Sequence, residues 1–493
     1  MKGKGEIMAK YDYDLGVIGG GAAGLTVASG AAQLGARTLL IEKGPALGGD
    51  CLHFGCVPSK TLIHSARLYH SLKSCSRFGL PEVAMPEVDF SRIAARIRSV
   101  IAVIQEHDSM ERFCRLGVDV RLGAPRFVDE HQVELGSKRF SARSWVIATG
   151  SSATPAQGPV LQNIVTITNK EIFALDHLPA SLIVIGAGPI AIEMAQAFCR
   201  LGSRVTVIQR SGQILTKEDK DLADGVMQVM AGEGVRFLLG ATVTGARTVG
   251  NHQELVVATK AGAETILADT VLVAQGRSPN IDGLGLAEIG VAHDASGITV
   301  DSRMRTSHSH IYAPGDVNGR FQFTHAAGHE GGVVVANAIF RLPRKVNTRW
   351  MPWCTYCDPE LASIGMNEKR AREAGIAYTV WTEEFSSNDR ALACGEGMGK
   401  LKMLLDASER PLGVQILGPS AGEILGEWVA VLNSGMKLSA LAGAIHPYPT
   451  LTEINKRVAG SWLSPKIFSP TVRKGLKLIF QLRGSACYPG SRI

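Results

Sequence analysis

The sequence lacks the segments that carry a protein into or across a membrane. No stretch of about 18 apolar residues is free of charge or glycine interruption, which excludes an ordinary transmembrane helix. Residues Met1–Tyr13 contain no apolar signal core, and Met8 is a candidate for the native start. A cytoplasmic location is therefore expected.

Cysteine is sparse as well. Nine cysteines, an odd number scattered along 493 residues, do not form the framework of a secreted disulfide-rich protein. A reducing compartment suits such a set. Four of the nine are predicted to be packing residues, namely Cys75, Cys114, Cys199 and Cys394.

Acidic residues are missing from the C-terminal stretch Ser461 to Ile493. This tail holds six basic residues, so the net charge of +7 leaves +1 for the rest of the chain. A nucleic-acid role would have to lie in the tail, which has no basic module interleaved with aromatic residues. The six basic residues are Lys466, Arg473, Lys474, Lys477, Arg483 and Arg492.

The same tail predicts an amphipathic helix. Val472, Leu476 and Ile479 fall on one helical face, and Arg473, Lys474 and Lys477 fall mostly on the other. Such a helix rests on an acidic membrane surface or packs against the protein body. Packing is the favoured interpretation.

Two cysteines stand close together in this scattered set. Cys51 and Cys56 follow the glycine pair Gly48-Gly49 and precede a predicted helix. At the start of a helix, a Cys-x4-Cys can close a small disulfide ring, and the helix N-terminus favours a thiolate when the ring opens. The spacing alone leaves a chance pair and half of a metal site as alternatives.

A glycine-rich turn precedes the two cysteines. A buried strand is predicted at Asp14–Ile18, a helix runs to Leu34, and a second strand, Arg37–Ile41, is closed by Glu42. The order of strand, G-x-G-x-x-G, helix, strand and acid is typical of a dinucleotide site, in which the acid binds a ribose. The glycines of the turn are Gly19, Gly21 and Gly24.

The pattern recurs later in the chain with equal spacing. Ser181–Ile185 predicts a strand, Gly186 and Gly188 lie in the turn, and Gln209 stands where Glu42 stood. Gln209 does not repel a 2′-phosphate, and the neighbouring Arg210 can pair with one. NADPH is therefore favoured over NADH, with a solvated surface arginine as the alternative.

Together these motifs resemble the FAD-dependent pyridine nucleotide-disulfide oxidoreductases, the family of dihydrolipoyl dehydrogenase, glutathione reductase and mercuric reductase. The resemblance covers Tyr13 to Lys466 and implies an α/β fold with two Rossmann-like domains, an α+β interface domain and a homodimer. The implied FAD domain spans residues 1–165 and 285–343. The implied NAD(P)H domain spans 166–284, the interface domain 344–465 and the basic tail 466–493.

The resemblance also implies site residues. Cys51 and Cys56 would form the redox disulfide, with Cys56 nearer the flavin and Cys51 attacking the substrate, and Lys60 and Glu193 would form an ion pair beside the flavin. FAD would be held by Gly19, Gly21, Gly24, Glu42, Lys43, Gly49, Lys60, Gly123, Ala124, Thr149, Gly150 and Asp316. The nicotinamide dinucleotide would be lined by Gly186, Gly188, Gln209, Arg210, Val243 and Gly276. No resident metal site is implied, and His325 is expected to be structural.

The sequence departs from that family near its C-terminus. A histidine normally stands five residues before Glu453 and serves as the acid-base in dithiol exchange, but Tyr448 occupies that position. A phenol with a pKa near 10 is a poor proton acceptor at neutral pH. His446, two residues upstream, is predicted to point the same way as Tyr448 on an extended segment, about 7 Å away.

A tyrosine at this position resembles mercuric reductase, although the adjacent C-terminal cysteines of mercuric reductases are reduced here to a lone Cys487. Pro189 stands where an aromatic residue often gates the nicotinamide pocket. Cys354 and Cys357 are predicted on opposite faces of a strand, as ordinary packing residues.

The predicted function is an NADPH-driven FAD enzyme that passes electrons through Cys51 and Cys56 to a metal ion or another non-dithiol acceptor. One alternative is a dihydrolipoyl dehydrogenase that uses His446. A second alternative is a redox or NADPH sensor with slow turnover.

Overall fold

The computed structural model describes residues 11–156, 158 and 160–484. Met8 and Cys487, singled out above, lie outside the described residues. The chain divides into two compact units, which are described separately. The first contains the chain up to Thr216 and Met227–Thr348, and the second contains Lys217–Val226 and the chain from Arg349 onward.

The first unit is rich in short strands. In chain order they are β1 (Tyr13–Ile18), β2 (Thr38–Glu42), β3 (Val118–Leu122), β4 (Arg126–Asp129), β5 (Gln132–Leu135), β6 (Lys138–Ile147), β7 (Ser151–Ala153), β8 (Ser181–Ile185), β9 (Arg204–Gln209), β10 (Arg236–Leu239), β11 (Thr242–Val249), β12 (His252–Thr259), β13 (Gly262–Ala268), β14 (Thr270–Val273), β15 (Arg277–Pro279), β16 (His293–Asp294), β17 (Gly297–Ile298) and β18 (Ile311–Tyr312).

Its helices connect these strands. They are α1 (Ala22–Gln33), α2 (Gly49–His53), α3 (Cys56–Lys73), α4 (Phe90–Gln105), α5 (Met110–Arg115), α6 (Asn169–Ile172), α7 (Pro189–Leu201), α8 (Lys220–Gly232, which crosses the division between the units) and α9 (Thr324–Ala338). The first two predicted strands and helix α1 are confirmed to within a few residues.

The larger sheet of the first unit has the order β3-β2-β1-β6-β5-β4, with β18 also paired to β6. Strands β3, β2, β1, β6 and β18 are parallel, whereas β5 and β4 form an antiparallel extension. The central strand β1 is buried along almost its whole length, as expected for a parallel strand covered on both faces. Helix α1 packs on α9, and Gly30 faces Val335 there, so the two helices approach closely.

A second parallel sheet, β10-β9-β8-β14, repeats this arrangement. Strand β8 is flanked in register by β9 and β14, and β11, β12 and β13 form a separate antiparallel sheet. The predicted strand at Ser181–Ile185, which opens the second glycine pattern, is confirmed residue for residue as β8. Two Rossmann-like sheets are therefore present, as the sequence predicted.

The second unit contains an antiparallel five-stranded sheet with the order β19-β20-β23-β22-β21. Its strands are β19 (Pro352–Thr355), β20 (Glu360–Gly365), β21 (Tyr378–Glu384), β22 (Lys400–Asp406) and β23 (Pro411–Gly418). Its helices are α10 (Glu368–Glu373), α11 (Asp389–Ala393), α12 (Ala421–Ser434), α13 (Leu438–Gly443), α14 (Glu453–Ile467) and α15 (Pro470–Phe480). The fully buried Trp428 on α12 belongs to its apolar core. The predicted α+β class of this part is confirmed.

Helix α15 forms where the tail predicts a helix, but the favoured packing is wrong. None of its residues is buried, and Leu478, Ile479 and Phe480 are largely exposed. Ser469 caps its N-terminus by accepting a hydrogen bond from the Val472 amide, and Pro470 occupies the first helical position. Among the described residues, no helix is both long and apolar enough to cross a membrane.

Candidate active site

The first glycine turn is built so tightly that side chains are excluded from it. Gly19 has φ +106°, and a Cβ there would lie 2.3 Å from the carbonyl oxygen of Ala148. A Cβ on Gly24 would lie 1.8 Å from the carbonyl oxygen of Gly19. The amide groups at the start of α1 are therefore not covered by side chains of the turn. A pyrophosphate requires such uncovered amides to bind at a helix N-terminus.

Glu42 closes this turn from the end of β2. Its carboxylate accepts hydrogen bonds from the Gly20 amide at 2.6 Å and from the Gly44 amide. The Gly123 amide donates to the Glu42 carbonyl at 2.8 Å. Lys43 and Ala124 follow β2 and β3 and are exposed. The predicted residues of this group thus meet at the carboxyl ends of parallel strands, where open α/β sheets bind ligands.

The turn also meets the segment that carries the cysteines. Gly49 has φ +64°, and a Cβ on it would lie 2.7 Å from the Cα of Gly21. The Gly48 amide donates to the Gly20 carbonyl at 2.8 Å. These contacts fix Cys51, on α2, beside the dinucleotide turn.

Cys56 is the first residue of the 18-residue helix α3, and Cys51 lies on the short helix α2. A hydrogen bond from the Cys51 thiol lowers the pKa of Cys56 to about 6, and the charge of Lys60 also favours the thiolate. Donating that bond raises the pKa of Cys51, and burial adds to the shift. The pair is therefore poised as one thiolate and one thiol at neutral pH.

Lys60 lies one turn along α3 and contacts α7, the helix that follows strand β8 of the second Rossmann-like sheet. Its Nζ is 2.8 Å from Oε2 of Glu193, which is buried on α7. Helices α3 and α7 pack together along this line. The structure thus brings together the two residues that the resemblance paired.

Thr324 is a neighbour of the pair that the sequence did not reveal. Its Oγ1 lies 3.8 Å from Sγ of Cys56, and its hydrogen bond further lowers the pKa of that thiol. Thr324 starts helix α9, far along the chain, so no local pattern connects it with Cys56. His325, predicted to be structural, follows it and stacks on Phe323 with a centroid distance of 5.3 Å.

Arg277 is a second unforeseen member of the site. It lies 3.0 Å from Asp50, the residue before Cys51, and 4.0 Å from Asp316. It also donates to the Ser151 hydroxyl and carbonyl at 2.8 Å. Ser151 in turn donates to Asp316 at 2.6 Å, and burial raises the pKa of Asp316. One guanidinium therefore ties the redox segment to the predicted FAD residue Asp316.

Thr149 and Gly150 end strand β6 beside this network. The Thr149 hydroxyl donates to the Asn280 carbonyl at 2.7 Å, and the Asn280 side-chain amide donates to the Thr149 carbonyl at 2.8 Å. Gly150 has φ +69°, a left-handed conformation that favours glycine. Asn280 is a further residue that the sequence analysis did not select.

The second glycine turn matches the first in detail. Gly186 has φ +111°, and a Cβ there would lie 2.3 Å from the carbonyl oxygen of Ala274. Open space surrounds the Cβ position of Gly188, which caps α7. The second turn therefore leaves the start of α7 free of side chains, as the first turn does at α1. Pro189 is the exposed first residue of α7, a position that proline favours.

The other residues predicted around the second dinucleotide lie on β9, on β11 and in the segments that follow β9 and β14. Gln209 ends β9, and its side-chain amide donates to the Ser211 hydroxyl at 2.8 Å. Arg210 is exposed. Val243 on β11 packs against the apolar core of this sheet, and Gly276 has φ +126°.

The structure differs from the expectation that His446 and Tyr448 point the same way. His446 is largely buried, and its Nε2 lies 3.0 Å from the Glu427 carboxylate. Tyr448 is 70% exposed, and its hydroxyl donates to Asp389 at 2.8 Å. That hydrogen bond raises the pKa of Tyr448. The segment is irregular, with prolines at 447 and 449, so the two-residue alternation of a strand does not apply.

Glu453 begins helix α14, where its carboxylate accepts from the Thr450 amide at 3.4 Å. An acid at a helix N-terminus is favourable irrespective of catalysis. Glu453 is therefore stabilised by the start of the helix as well as by this hydrogen bond.

Two other cysteine predictions need correction. Strand β19 ends at Thr355, so Cys357 does not lie on its opposite face but follows it, with its thiol 3.1 Å from the Pro359 carbonyl. Cys114 is exposed and is not a packing residue.

One histidine cluster was not predicted. The side-chain ligand atoms of Glu130, His131 and His310 lie within 4.8 Å of one another. However, the rings of His131 and His310 stack at 4.2 Å, and each ring binds a backbone carbonyl. A metal ion lies in the plane of each imidazole that binds it. The stacked rings therefore hold the β4–β5 turn against the segment before β18, and they are not arranged to bind one metal ion together.

Comparison with known proteins agrees with this geometry. The family model described as pyridine nucleotide-disulphide oxidoreductase matches residues 13–331, and the model of that family's dimerisation domain matches residues 351–459. Dihydrolipoamide dehydrogenase of Chaetomium thermophilum is 35% identical over 467 residues, which are 92% of this chain and 92% of that protein. Mercuric reductase of Lysinibacillus sphaericus is 32% identical over 444 residues, 90% of this chain and 81% of that protein.

A solved structure is similar throughout. The Cu(II) complex of RclA, an HOCl-induced flavoprotein disulfide reductase from Escherichia coli, has a TM-score of 0.80 and 26% identity, covering 90% of this chain and 98% of its own. The chain therefore belongs to the pyridine nucleotide-disulphide oxidoreductases, enzymes that use FAD and NAD(P)H, and carries the dimerisation domain of that family.

Proposed function

We propose that this enzyme uses NADPH to reduce the Cys51–Cys56 pair through FAD, and that the reduced pair delivers its electrons to a thiophilic metal ion. One observation carries the choice of acceptor. At the position of the family's acid-base histidine stands Tyr448, an exposed phenol whose pKa is raised by Asp389. Dithiol exchange needs a proton acceptor there, whereas electron transfer to a bound metal ion does not.

The proposed FAD site uses the first glycine turn, Glu42, the carboxyl ends of β3 and β6, and Asp316. The proposed NADPH site uses the second turn with Gln209, Arg210, Val243 and Gly276. When bound, FAD accepts a hydride from NADPH and returns two electrons to a disulfide. Lys60 and Glu193 are proposed to lie beside that reaction, where the buried carboxylate keeps the lysine in one position.

The chemistry of the cysteines follows from their unequal pKa values. Cys56, with a pKa of about 6, is the resident thiolate at neutral pH. Cys51 gives up its proton when it binds a soft metal, since thiolate rather than thiol is the ligand. Two electrons then leave as the S–S bond forms, which reduces one Hg(II) to Hg(0) or two Cu(II) to Cu(I). The single proton of the pair, carried by Cys51, is released to solvent.

Two relatives support a metal acceptor. The relative from Lysinibacillus sphaericus is named mercuric reductase, and the similar solved structure is a Cu(II) complex of a flavoprotein disulfide reductase. These names fit an acceptor that binds thiolates directly. A homodimer is part of the proposal, because the model of the family's dimerisation domain matches residues 351–459. We also propose a cytoplasmic location, an FAD domain at residues 1–165 and 285–343, an NAD(P)H domain at 166–284, an interface domain at 344–465 and a basic tail at 466–493.

Preference for NADPH is expected to depend on Arg210. We expect Arg210→Ala to lower kcat/KM for NADPH roughly 10- to 100-fold, since a hydrogen bond to a charged group contributes about 1.5–3 kcal/mol. NADH kinetics should change little. Steady-state rates of oxidation of NADPH and of NADH provide the measurement. Arg204→Ala, at the opposite end of β9, is the matched control and should leave both values unchanged.

A dihydrolipoyl dehydrogenase activity is the second candidate. The imidazole of His446 pairs with Glu427, and its Nδ1 is buried without a hydrogen-bond partner among the described residues. A histidine–glutamate pair is a known form of general base. Relatives of that name are also 35% identical to this chain.

An acceptor panel separates the two functions. We expect NADPH oxidation with Hg(II) or Cu(II) to exceed that with lipoamide at least tenfold, and His446→Ala to leave the metal-dependent rate intact. Restoring an imidazole by Tyr448→His is expected to raise lipoamide turnover at least tenfold, since a positioned general base contributes about 10²–10⁴.

Efficient lipoamide turnover that is lost in His446→Ala would reverse the assignment. Slow turnover with every acceptor, despite full flavin reduction by NADPH, would identify a redox sensor instead.

A further inference from the structure

Helix α15 is an amphipathic helix that the second unit leaves uncovered. Four apolar residues, Val472, Leu476, Ile479 and Phe480, lie within an arc of about 100° when residues are placed 3.6 to a turn. Val472 and Leu476 are each 40% exposed, Ile479 and Phe480 are 70% and 66% exposed, and no residue of the helix is buried. None of its residues belongs to the apolar core of the second unit.

A cationic arc borders this apolar arc. Arg473, Lys474 and Lys477 fall within about 100° of one another on the adjoining side. Ser461 to Ile493 holds six basic residues and no acidic one. An apolar stripe beside a purely cationic stripe is the arrangement of helices that lie in the interface of an anionic bilayer.

We infer that α15 docks the enzyme onto an anionic lipid surface. The apolar arc enters the boundary between headgroups and acyl chains, and the cationic arc contacts the lipid phosphates and carboxylates. Charge favours lipid over a second copy of the chain as the occupant. Outside the tail the net charge is only +1, so another copy offers no net negative charge to match six cations.

The surroundings of α15 extend the apolar surface. Phe468 precedes the helix and Leu482 follows it, and both are exposed. An aromatic residue at one end of such a helix suits the interfacial layer, where aromatic rings are enriched. The inference rests on the tail alone and holds for any acceptor of the redox pair.

Vesicle flotation of the full-length, FAD-loaded enzyme tests the inference. The enzyme is expected to float with phosphatidylcholine vesicles that contain about 30 mol% phosphatidylserine and not with pure phosphatidylcholine. Ile479→Glu should abolish flotation. Leu478→Glu is the matched control, because Leu478 is 83% exposed on the same helix but lies outside the apolar arc. It should retain most of the binding.

The charge contribution has its own readout. Each of Arg473→Gln, Lys474→Gln and Lys477→Gln is expected to weaken binding about fivefold, since one cation near an anionic surface contributes about 1 kcal/mol. Added salt should weaken binding further. NADPH-dependent flavin reduction, measured on the same samples, should stay at the level of the unaltered enzyme.

Two results would overturn the inference. One is equal flotation of the unaltered enzyme and Ile479→Glu. The other is absence of flotation of the unaltered enzyme with the phosphatidylserine-containing vesicles. If Ile479→Glu then also dissociates the oligomer in sedimentation velocity, the apolar arc is assigned to a second copy of the chain.

Discussion

Cys56→Ser is expected to reduce NADPH-driven turnover with Hg(II) or Cu(II) by at least about 10³-fold while leaving reduction of FAD by NADPH nearly intact. The serine hydroxyl keeps the volume but supplies neither a thiolate nor an S–S bond. FAD binding should survive, because Gly19, Gly24 and Glu42 hold the dinucleotide turn independently of the cysteine. Stopped-flow absorbance in anaerobic solution separates flavin reduction from acceptor reduction.

The same variant tests which cysteine is the resident thiolate. Because the pKa of Cys56 is lowered to about 6, the reduced enzyme should show long-wavelength charge-transfer absorbance at pH 7 that fades as the pH falls through about 6. Cys51→Ser should keep this absorbance, and Cys56→Ser should lose it. If Cys56→Ser keeps the band, the assignment of roles within the pair is wrong.

Cys114→Ser is the matched control. Cys114 is exposed, as Cys56 is, but lies on α5 away from the glycine turns. Its replacement should change neither turnover nor absorbance. A loss in this variant comparable with that in Cys56→Ser would show that the effect reflects general damage rather than redox chemistry.

Much of the fold was predictable because its signals are local. A tight turn that only glycine can form stands between a buried strand and a helix, and that order is visible within about 30 residues. A Cβ added to Gly19 or to Gly186 would lie 2.3 Å from the carbonyl oxygen of the residue that follows a neighbouring strand, Ala148 or Ala274. The strands therefore begin and end close to where the sequence placed them.

The remaining site residues were not predictable because their contacts are long-range. Arg277 reaches Asp50 and Ser151 across more than a hundred residues of chain, and Thr324 reaches Cys56 across more than two hundred. Arginine and threonine are ordinary residue types at positions 277 and 324, and no periodicity of the sequence identifies either of them as a site residue. Only the fold brings the carboxyl ends of the parallel strands, and with them these side chains, to one edge.

The environments of His446 and Tyr448 were mispredicted for a different reason. Alternation of side chains holds only in a strand, and two prolines interrupt this segment. The consequence is chemical. The imidazole of His446 pairs with Glu427, and the phenol of Tyr448 donates to Asp389. Although the two residues are only two positions apart in sequence, His446 is therefore not a base displaced slightly from the position of Tyr448.

A buried charge cluster in the second unit was also invisible in the sequence. Lys402 on β22 is 3% exposed and lies 2.9 Å from Asp219, 3.0 Å from Asp221 and 2.6 Å from Glu368. Burial alone would lower the pKa of Lys402, but hydrogen bonds to the three carboxylates outweigh burial and raise it. The cluster therefore anchors Lys217–Val226, a segment distant in sequence, to the five-stranded sheet.

Lys402→Met should accordingly destabilise the second unit by about 3–5 kcal/mol, because it removes the cation that pairs with the buried carboxylate of Asp219 and leaves that charge with amide hydrogen bonds from Glu368 and Lys369. Lys400→Met is the matched control. Lys400 is on the same strand and also pairs with Asp221, but it is 29% exposed, so its loss should cost less than about 1 kcal/mol. Urea unfolding followed by tryptophan fluorescence measures both variants.

Acid pH supplies an independent check on the same cluster. Burial opposes ionisation of Asp221 and Glu368, but hydrogen bonds from Lys402 outweigh it and lower both pKa values. A carboxyl group with a lowered pKa contributes stability above its ordinary range near 4, and that stability is lost as the pH falls through the lowered value. The difference in unfolding free energy between the unaltered enzyme and Lys402→Met should therefore narrow below about pH 4. A difference that stays constant from pH 7 to pH 3 would mean that lost packing of the lysine stem, rather than charge, causes the destabilisation.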